Sequence, residues 1–270
     1  MTGGAGNSEK QHKRIVDSLN GPEGLKSTVV PPTILLTIIL SSPRILSRRQ
    51  SSQGFVALTV DELKRIYPMK RREIRARLSD FARVGRDGSH QKIFEELTFC
   101  IYTAGASARM GLRAVEAVRP VLMTGTKRQI QRSLKARHRF PNARGAYVWE
   151  TREYLREHCG LKLRDTLSGF ENADERRDFF AANKSVRGLG YKEASHFLRN
   201  IGFRGYAILD KHLLGRLAEF GVIDSAKPPS TKARYLAIEE RLKCFAASVG
   251  IDFDELDLLL WYSKTGEILK

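Results

Sequence analysis

A lysine in the first turn of a helix, two residues after a Gly-Leu-Gly turn and 18 residues before an aspartate, is the most chemically informative arrangement in the sequence. Ser185 to Leu214 reads SVRGLGYKEASHFLRNIGFRGYAILDKHLL. Gly188 and Gly190 let the backbone turn tightly, and Leu189 between them can plug that turn into a core. The helix predicted from Tyr191 to Asn200 presents free N–H groups at its start, where phosphate is favoured. With the polar helix predicted over Asp174 to Lys184, this is a helix-hairpin-helix, a clamp for a DNA backbone that reads no sequence. A plain helical corner shares the same local pattern.

Lys192 stands in the first turn and Asp210 just before Lys211-His212-Leu213-Leu214. A free lysine titrates near about 10.4, so only about one in a few thousand is a neutral amine at pH 7. A nucleophilic lysine must shed its proton, which desolvation and a helix N-terminus both favour. A carboxylate nearby acts the other way, yet it can accept the proton locally and stabilise positive charge developing on a substrate. Read singly, Lys192 is a solvated cation and Asp210 a helix N-cap. Asp210 can be both, because capping fixes its position. Lys211 and His212 read as surface or backbone-contacting residues.

The elements that must position these residues are helical. The chain has 270 residues, enough for one large domain or two small ones. From Val60 onward apolar residues recur at helical spacing, and no Asn-Gly or Asp-Gly hairpin signal interrupts them. Thr59-Val60-Asp61-Glu62 predicts a helix start. Phe94, Leu97, Phe99, Ile101 and Tyr102 predict a buried helix. Gly105, Gly111, Gly125, Gly145, Gly160, Gly188, Gly190, Gly202, Gly205, Gly221 and Gly250 fall between apolar runs, where helix ends are expected. The expectation is an all-α domain of about ten helices over residues 59–270. Residues 1–58, rich in Gly, Ser, Pro and basic residues, are expected to be a poorly ordered extension.

Charge narrows the partners. Lys and Arg number 47 against 30 acids, a formal charge of +17. Residues 61–145 hold 20 Lys/Arg and 8 Asp/Glu, whereas residues 146–270 hold 20 and 19. An excess confined to one half points to a phosphate backbone seated there. The three cysteines, Cys100, Cys159 and Cys244, cannot supply a four-cysteine zinc site or iron–sulfur cluster, and they give no disulfide framework. A reducing, cytoplasmic compartment is expected. The most apolar run, Ile34 to Leu40, is far shorter than the roughly 20 residues that span a bilayer. It also starts too late for a signal peptide, so no membrane partner is expected.

Lys192 and Asp210 at this spacing after the hairpin resemble the bifunctional members of the helix-hairpin-helix/GPD superfamily of DNA glycosylases. Gly188 to Asn200, Ala207 to His212, and Leu260-Trp261-Tyr262-Ser263-Lys264-Thr265-Gly266-Glu267-Ile268-Leu269-Lys270 resemble most closely the archaeal-type 8-oxoguanine DNA glycosylase/lyase family. The resemblance covers roughly residues 60–270. It implies two helical subdomains around a helix-hairpin-helix/GPD core, with the active site in the cleft between them. It implies an 8-oxoguanine DNA glycosylase that flips out and excises the lesion from double-stranded DNA and nicks the abasic site, as a monomer in base-excision repair. Lys192 would attack C1′, expel the base and leave a Schiff base, and β-elimination would follow. A non-catalytic DNA-binding hairpin and a glycosylase for another damaged base are the alternatives.

The resemblance also implies a base pocket. 8-Oxoguanine differs from guanine in an N7–H donor and a C8 carbonyl, so a selective site needs an acceptor aimed at N7. Lys270, the last residue, would lie at the pocket, with Trp261 as a stacking platform and Tyr147 opposite it. Ile101 to Gly111 resembles the loop that enters the gap in the DNA, with Arg109 or Met110 in place of the polar residues expected at Gly105-Ala106. Gly188, Gly190, Tyr191 and His212 would contact the backbone. No metal is expected, and a monovalent cation held by carbonyls around Gly188 and Gly190 follows from the resemblance alone.

Overall fold

A computed structural model describes residues 58–269. The expected extension (Leu58 apart), the Ile34–Leu40 run and Lys270 lie outside the described residues. Within them the regular structure is helical, in eleven α-helices. These are α1 (Val60–Asp87), α2 (His90–Thr103), α3 (Ala108–Val118), α4 (Lys127–Leu134), α5 (Pro141–Cys159) and α6 (Leu163–Ser168). They continue with α7 (Ala173–Ala181), α8 (Tyr191–Asn200), α9 (Lys211–Glu219), α10 (Lys232–Val249) and α11 (Phe253–Thr265). Among the described residues no helix is long and apolar enough to cross a membrane.

Local chemistry sets the helix ends. Thr59 and Glu62 form the reciprocal capping box predicted for α1. Pro141 opens α5, where its missing N–H has no partner to lose, and Gly160 closes it at φ 59°. Two glycines depart from the expectation that they end helices. Gly111 lies inside α3 and Gly145 inside α5. A Cβ on Gly111 would sit 2.6 Å from Thr103 Cγ2 and 3.1 Å from Phe99 Cε2, so this glycine admits α2 against α3. Gly145 likewise faces Gln131 of α4, at 2.8 Å from its Cγ. At an exposed helical site Gly→Ala stabilises by about 1 kcal/mol. Here overpacking of about 1–3 kcal/mol opposes it. We expect Gly111→Ala to lower unfolding stability in a denaturant titration, and a net gain would contradict this packing.

The apolar side chains divide into two cores. The first gathers Phe94, Leu97 and Ile101 of α2 with Val115, Ile130, Val148, Phe180, Phe197 and Leu198. The second gathers Leu63, Ile74 and Phe81 of α1 with Leu213, Leu217, Tyr235, Leu242, Leu256 and Leu259. α8 serves both, with Ala194, Phe197 and Leu198 in the first and Tyr191 packed against the second. The hairpin helix thus stands at the junction of two helical subdomains.

Candidate active site

Val186 and Leu189 are buried in the first core, so the hairpin is anchored as its sequence predicts. Gly188 takes φ +81°, the left-handed region that favours glycine. A Cβ there would meet Tyr147 Cδ2 at 2.7 Å and Ile101 Cγ2 at 3.3 Å. Gly190 differs: its φ is −104° in extended backbone, so the turn requires glycine only at Gly188. α8 then starts at Tyr191 and ends at Asn200, the bounds the sequence predicts.

Lys192 lies in the first turn of α8, with its side chain 26% exposed. Its Nζ is 2.9 Å from Oε1 of Glu193, and Glu193 Oε2 accepts from Gly190 N–H at 3.3 Å. Sequence reasoning passed over Glu193. The signal was present, since a glutamate at the third helical position is the usual partner of a helix's N-cap amide. Asp210 caps α9, accepting from His212 N–H at 2.9 Å and Leu213 N–H at 2.8 Å. Among the described residues no hydrogen bond or ion pair joins Lys192 to Asp210 directly.

Their relative position is instead set by the segment between α8 and α9, which is pinned at successive polar groups. Gly205 N–H donates to Asp254 at 2.9 Å, Ala207 N–H to Glu239 at 2.8 Å and Ile208 N–H to Asp257 at 3.3 Å. Tyr235 OH donates to the Ala207 carbonyl at 2.6 Å. Asp257 also holds Arg199 of α8 at 2.6 Å, and Glu239 holds Arg177 of α7 through both oxygens, at 2.8 and 3.1 Å. Buried side chains of α10 and α11 therefore fix the approach to Asp210, with Asp257 bound at once to the lysine's helix and to the aspartate's segment. Burial pushes the Asp257 carboxyl up to about 6, opposed by Arg199, and the Asp210 carboxylate adds to the rise.

Tyr147 packs beneath Gly188, with the guanidinium carbons of Arg144 and Arg187 at 5.6 and 5.5 Å from its ring centre. It lines a cavity of about 300 Å³ with Ala181, Asn183, Val186, Arg187 and Leu189. Trp261 lies in α11, partly exposed, while its neighbour Tyr262 packs against the second core. Buried Arg216 of α9 donates to Ser263 Oγ at 3.0 Å and to its carbonyl at 2.8 Å, locking the end of α11 to the helix that Asp210 caps. Tyr191 donates its hydroxyl to Asp178 at 2.6 Å. Its phenol is therefore engaged within the chain.

The turn expected to enter DNA runs from Ala104 to Ser107, between α2 and α3. Arg144 donates to the Ala104 carbonyl at 2.5 Å and Arg139 to the Gly105 carbonyl at 3.4 Å. Arg109 pairs with Glu267, which ties this turn to the C-terminal segment, and Met110 is half-buried at the start of α3. The basic block is therefore divided. Arg75 is bound to Glu255 and Arg119 to Glu95, so part of the charge excess serves internal pairing rather than an open phosphate seat.

Two helical cores meeting at a helix-hairpin-helix, with a first-turn lysine and a capping aspartate, define the helix-hairpin-helix class of DNA glycosylase folds. A family model described as "8-oxoguanine DNA glycosylase" matches residues 74–251, and the chain belongs to that family. An "8-oxoguanine DNA glycosylase/AP lyase" of Korarchaeum cryptofilum is 38% identical over 213 residues, covering 78% of this chain and 97% of that protein. One of Fusobacterium nucleatum is 33% identical over 213 residues, covering 78% and 97%. The crystal structure of the 8-oxoguanine DNA glycosylase of Thermotoga maritima superposes with a TM-score of 0.70 at 34% identity, covering 78% of this chain and 98% of that one. The Methanocaldococcus jannaschii 8-oxoguanine glycosylase/lyase, in complex with a 15mer DNA containing 8-oxoguanine, gives 0.71 at 32% identity, covering 78% and 99%.

Proposed function

We propose that the chain is an 8-oxoguanine DNA glycosylase/AP lyase in which Lys192 is the nucleophile and Asp210 the carboxylate that serves it. The observation that carries this reading is the placement of Lys192. It is a part-buried amine in the first turn of the hairpin helix, and Asp257 ties that helix to the segment leading to Asp210. The hairpin docks on a duplex backbone through amide groups, and the damaged nucleotide is turned out of the stack. The Lys192 amine bonds to C1′ as the bond to the base breaks, and the electron pair leaves with the base. Loss of the ring oxygen's bond to C1′ leaves a Schiff base, and β-elimination then cleaves the strand on the 3′ side. Asp210 stabilises positive charge on the sugar as the glycosidic bond opens.

Trp261, Tyr147 and Lys270 are assigned to the base pocket, and Gly188, Gly190, Tyr191, His212, Arg109 and Met110 to the DNA-contacting surface. For Trp261 the support is its partial exposure on a helix locked to α9. A monovalent cation at the hairpin would be held by carbonyl oxygens. Gly190 O accepts from Ala194 N–H at 2.9 Å and Arg187 O from Thr151 Oγ1 at 3.4 Å, so each keeps one lone pair for it. Such a cation would help neutralise a docked phosphate.

The test is release of free base and strand cleavage on a duplex carrying one 8-oxoguanine, with the same duplex carrying guanine as control. Cleavage of both, or of neither, would overturn the proposal. Asp210→Asn separates the carboxylate's two roles. Asparagine caps a helix about as well as aspartate, so the fold is expected to be retained within about 1 kcal/mol. The neutral side chain is expected to slow single-turnover base release by on the order of 10²-fold. A rate within a few-fold of native would leave Asp210 as a cap only.

A further inference from the structure

Glu193 is the carboxylate in contact with the reacting nitrogen. Its Oε1 lies 2.9 Å from Lys192 Nζ, its Oε2 accepts from Gly190 N–H at 3.3 Å, and its side chain is 14% exposed. One carboxylate therefore occupies two groups that catalysis needs open. One is the amide at the hairpin's helix start, a donor suited to a docked phosphate. The other is the amine, which must lose a proton. A negative charge at ion-pair distance stabilises the ammonium and opposes formation of the free amine.

We infer that Glu193 is an electrostatic latch on the nucleophile: it holds Lys192 as an ammonium in the DNA-free chain, and a DNA backbone phosphate displaces it by taking the Gly190 N–H. The inference rests on the reading of Lys192 as the nucleophile. Phosphate and carboxylate carry the same sign of charge and need the same donor, so docking of one expels the other. With the latch open, the ammonium proton passes to water. The freed lone pair then forms the N–C1′ bond as the bond from C1′ to the base breaks. The amine is thus released where a duplex backbone is docked, which guards it from reaction elsewhere.

Four other charged or titratable groups on or around α8 are accounted for. Cys100 of α2 is fully buried, and burial pushes its thiol well up, so it stays neutral. Glu96 of α2 faces Lys92 at 3.6 Å and Asn200 at 3.4 Å. Arg199 is bound to Asp257 at 2.6 Å, and Asp210 to the two amides at the start of α9. Glu193 is the acid whose oxygen reaches Nζ.

Glu193→Gln keeps an acceptor for the Gly190 amide and removes the charge. The readout is borohydride trapping on a duplex with a preformed abasic site, followed across pH. The pH of half-maximal trapping is expected to fall by about one unit, which is about tenfold more adduct on the acidic limb. Glu193→Ala, which removes charge and cap together, is expected to give the same shift, while Glu193→Asp keeps the charge and a native-like profile. Binding to a duplex with an uncleavable abasic analogue reports that each variant is folded. An unshifted profile in both the Gln and Ala variants, at whatever rate, would make Glu193 a cap alone and overturn the latch. A shift to higher pH would make it a promoter of proton loss and overturn it equally. No adduct from the native chain at any pH would instead overturn the nucleophile reading beneath it.

Discussion

Lys192→Gln is expected to abolish the covalent adduct that borohydride traps on a duplex carrying 8-oxoguanine. The amide nitrogen of glutamine has no basic lone pair, so neither the bond to C1′ nor a Schiff base can form. Loss of a covalent nucleophile costs on the order of 10³-fold or more in rate. Strand nicking by β-elimination should disappear with the adduct, because it needs the same imine. Binding should change little. The substitution removes one part-buried cation that already has a carboxylate partner, so duplex affinity is expected to stay within about tenfold. An adduct that persists in the variant would place the chemistry on another amine. Absence of an adduct in both proteins, with free base still released, would leave a glycosylase without lyase chemistry.

Asp257→Asn is expected to be the most destabilising single change near the site. It leaves the Arg199 guanidinium buried without its counter-ion, since the two are 2.6 Å apart and almost wholly shielded from water. Breaking one side of such a pair costs about 3–5 kcal/mol. Against a total stability of about 5–15 kcal/mol, that brings the chain close to unfolding. The melting temperature is expected to drop by on the order of 10 °C. Burial pushes Asp257 up and Arg199 down, so desolvation offsets much of the attraction between them and the pair itself adds little net stability. Removing both charges should therefore restore most of the loss. In Arg199→Met with Asp257→Asn, the asparagine oxygen still accepts the Ile208 N–H, and stability is expected within about 1 kcal/mol of native. A double variant as unstable as the single one would show that the pair, not its uncompensated half, stabilises the fold. The pH dependence has a definite sign. The folded chain holds the Asp257 proton up to about 6, above the ordinary carboxylate range, so this group's contribution to stability weakens as pH rises towards 6. Asp257→Asn removes that slope.

Much of the candidate site was legible in the sequence because its signals are local. Gly188 must turn at positive φ, Leu189 must be buried, and an aspartate before Lys-His-Leu-Leu caps a helix. None of these depends on a distant residue. Glu193 was legible on the same terms, as a glutamate at the third position of α8, but its contact with Lys192 is a matter of side-chain direction. The glycines divided along the same line. Gly160 and Gly250 end helices in the left-handed conformation, which sequence position foretells. Gly111 and Gly145 sit inside helices because another helix leans on them, which no local pattern announces.

The sequence by itself determined the helical class, the hairpin, the first-turn place of Lys192 and the capping place of Asp210, because helix periodicity, turn residues and caps act within a few positions of one another. The tertiary structure decided where Asp210 stands relative to Lys192. Asp254, Glu239, Tyr235 and Asp257, 28 to 49 residues distant in sequence from the residues they hold, pin it residue by residue. It also decided that Tyr147 lies under the hairpin and that Arg109 reaches Glu267. A buried polar group must find a partner wherever the packed fold brings one, and that choice is fixed only once the two cores have closed around it.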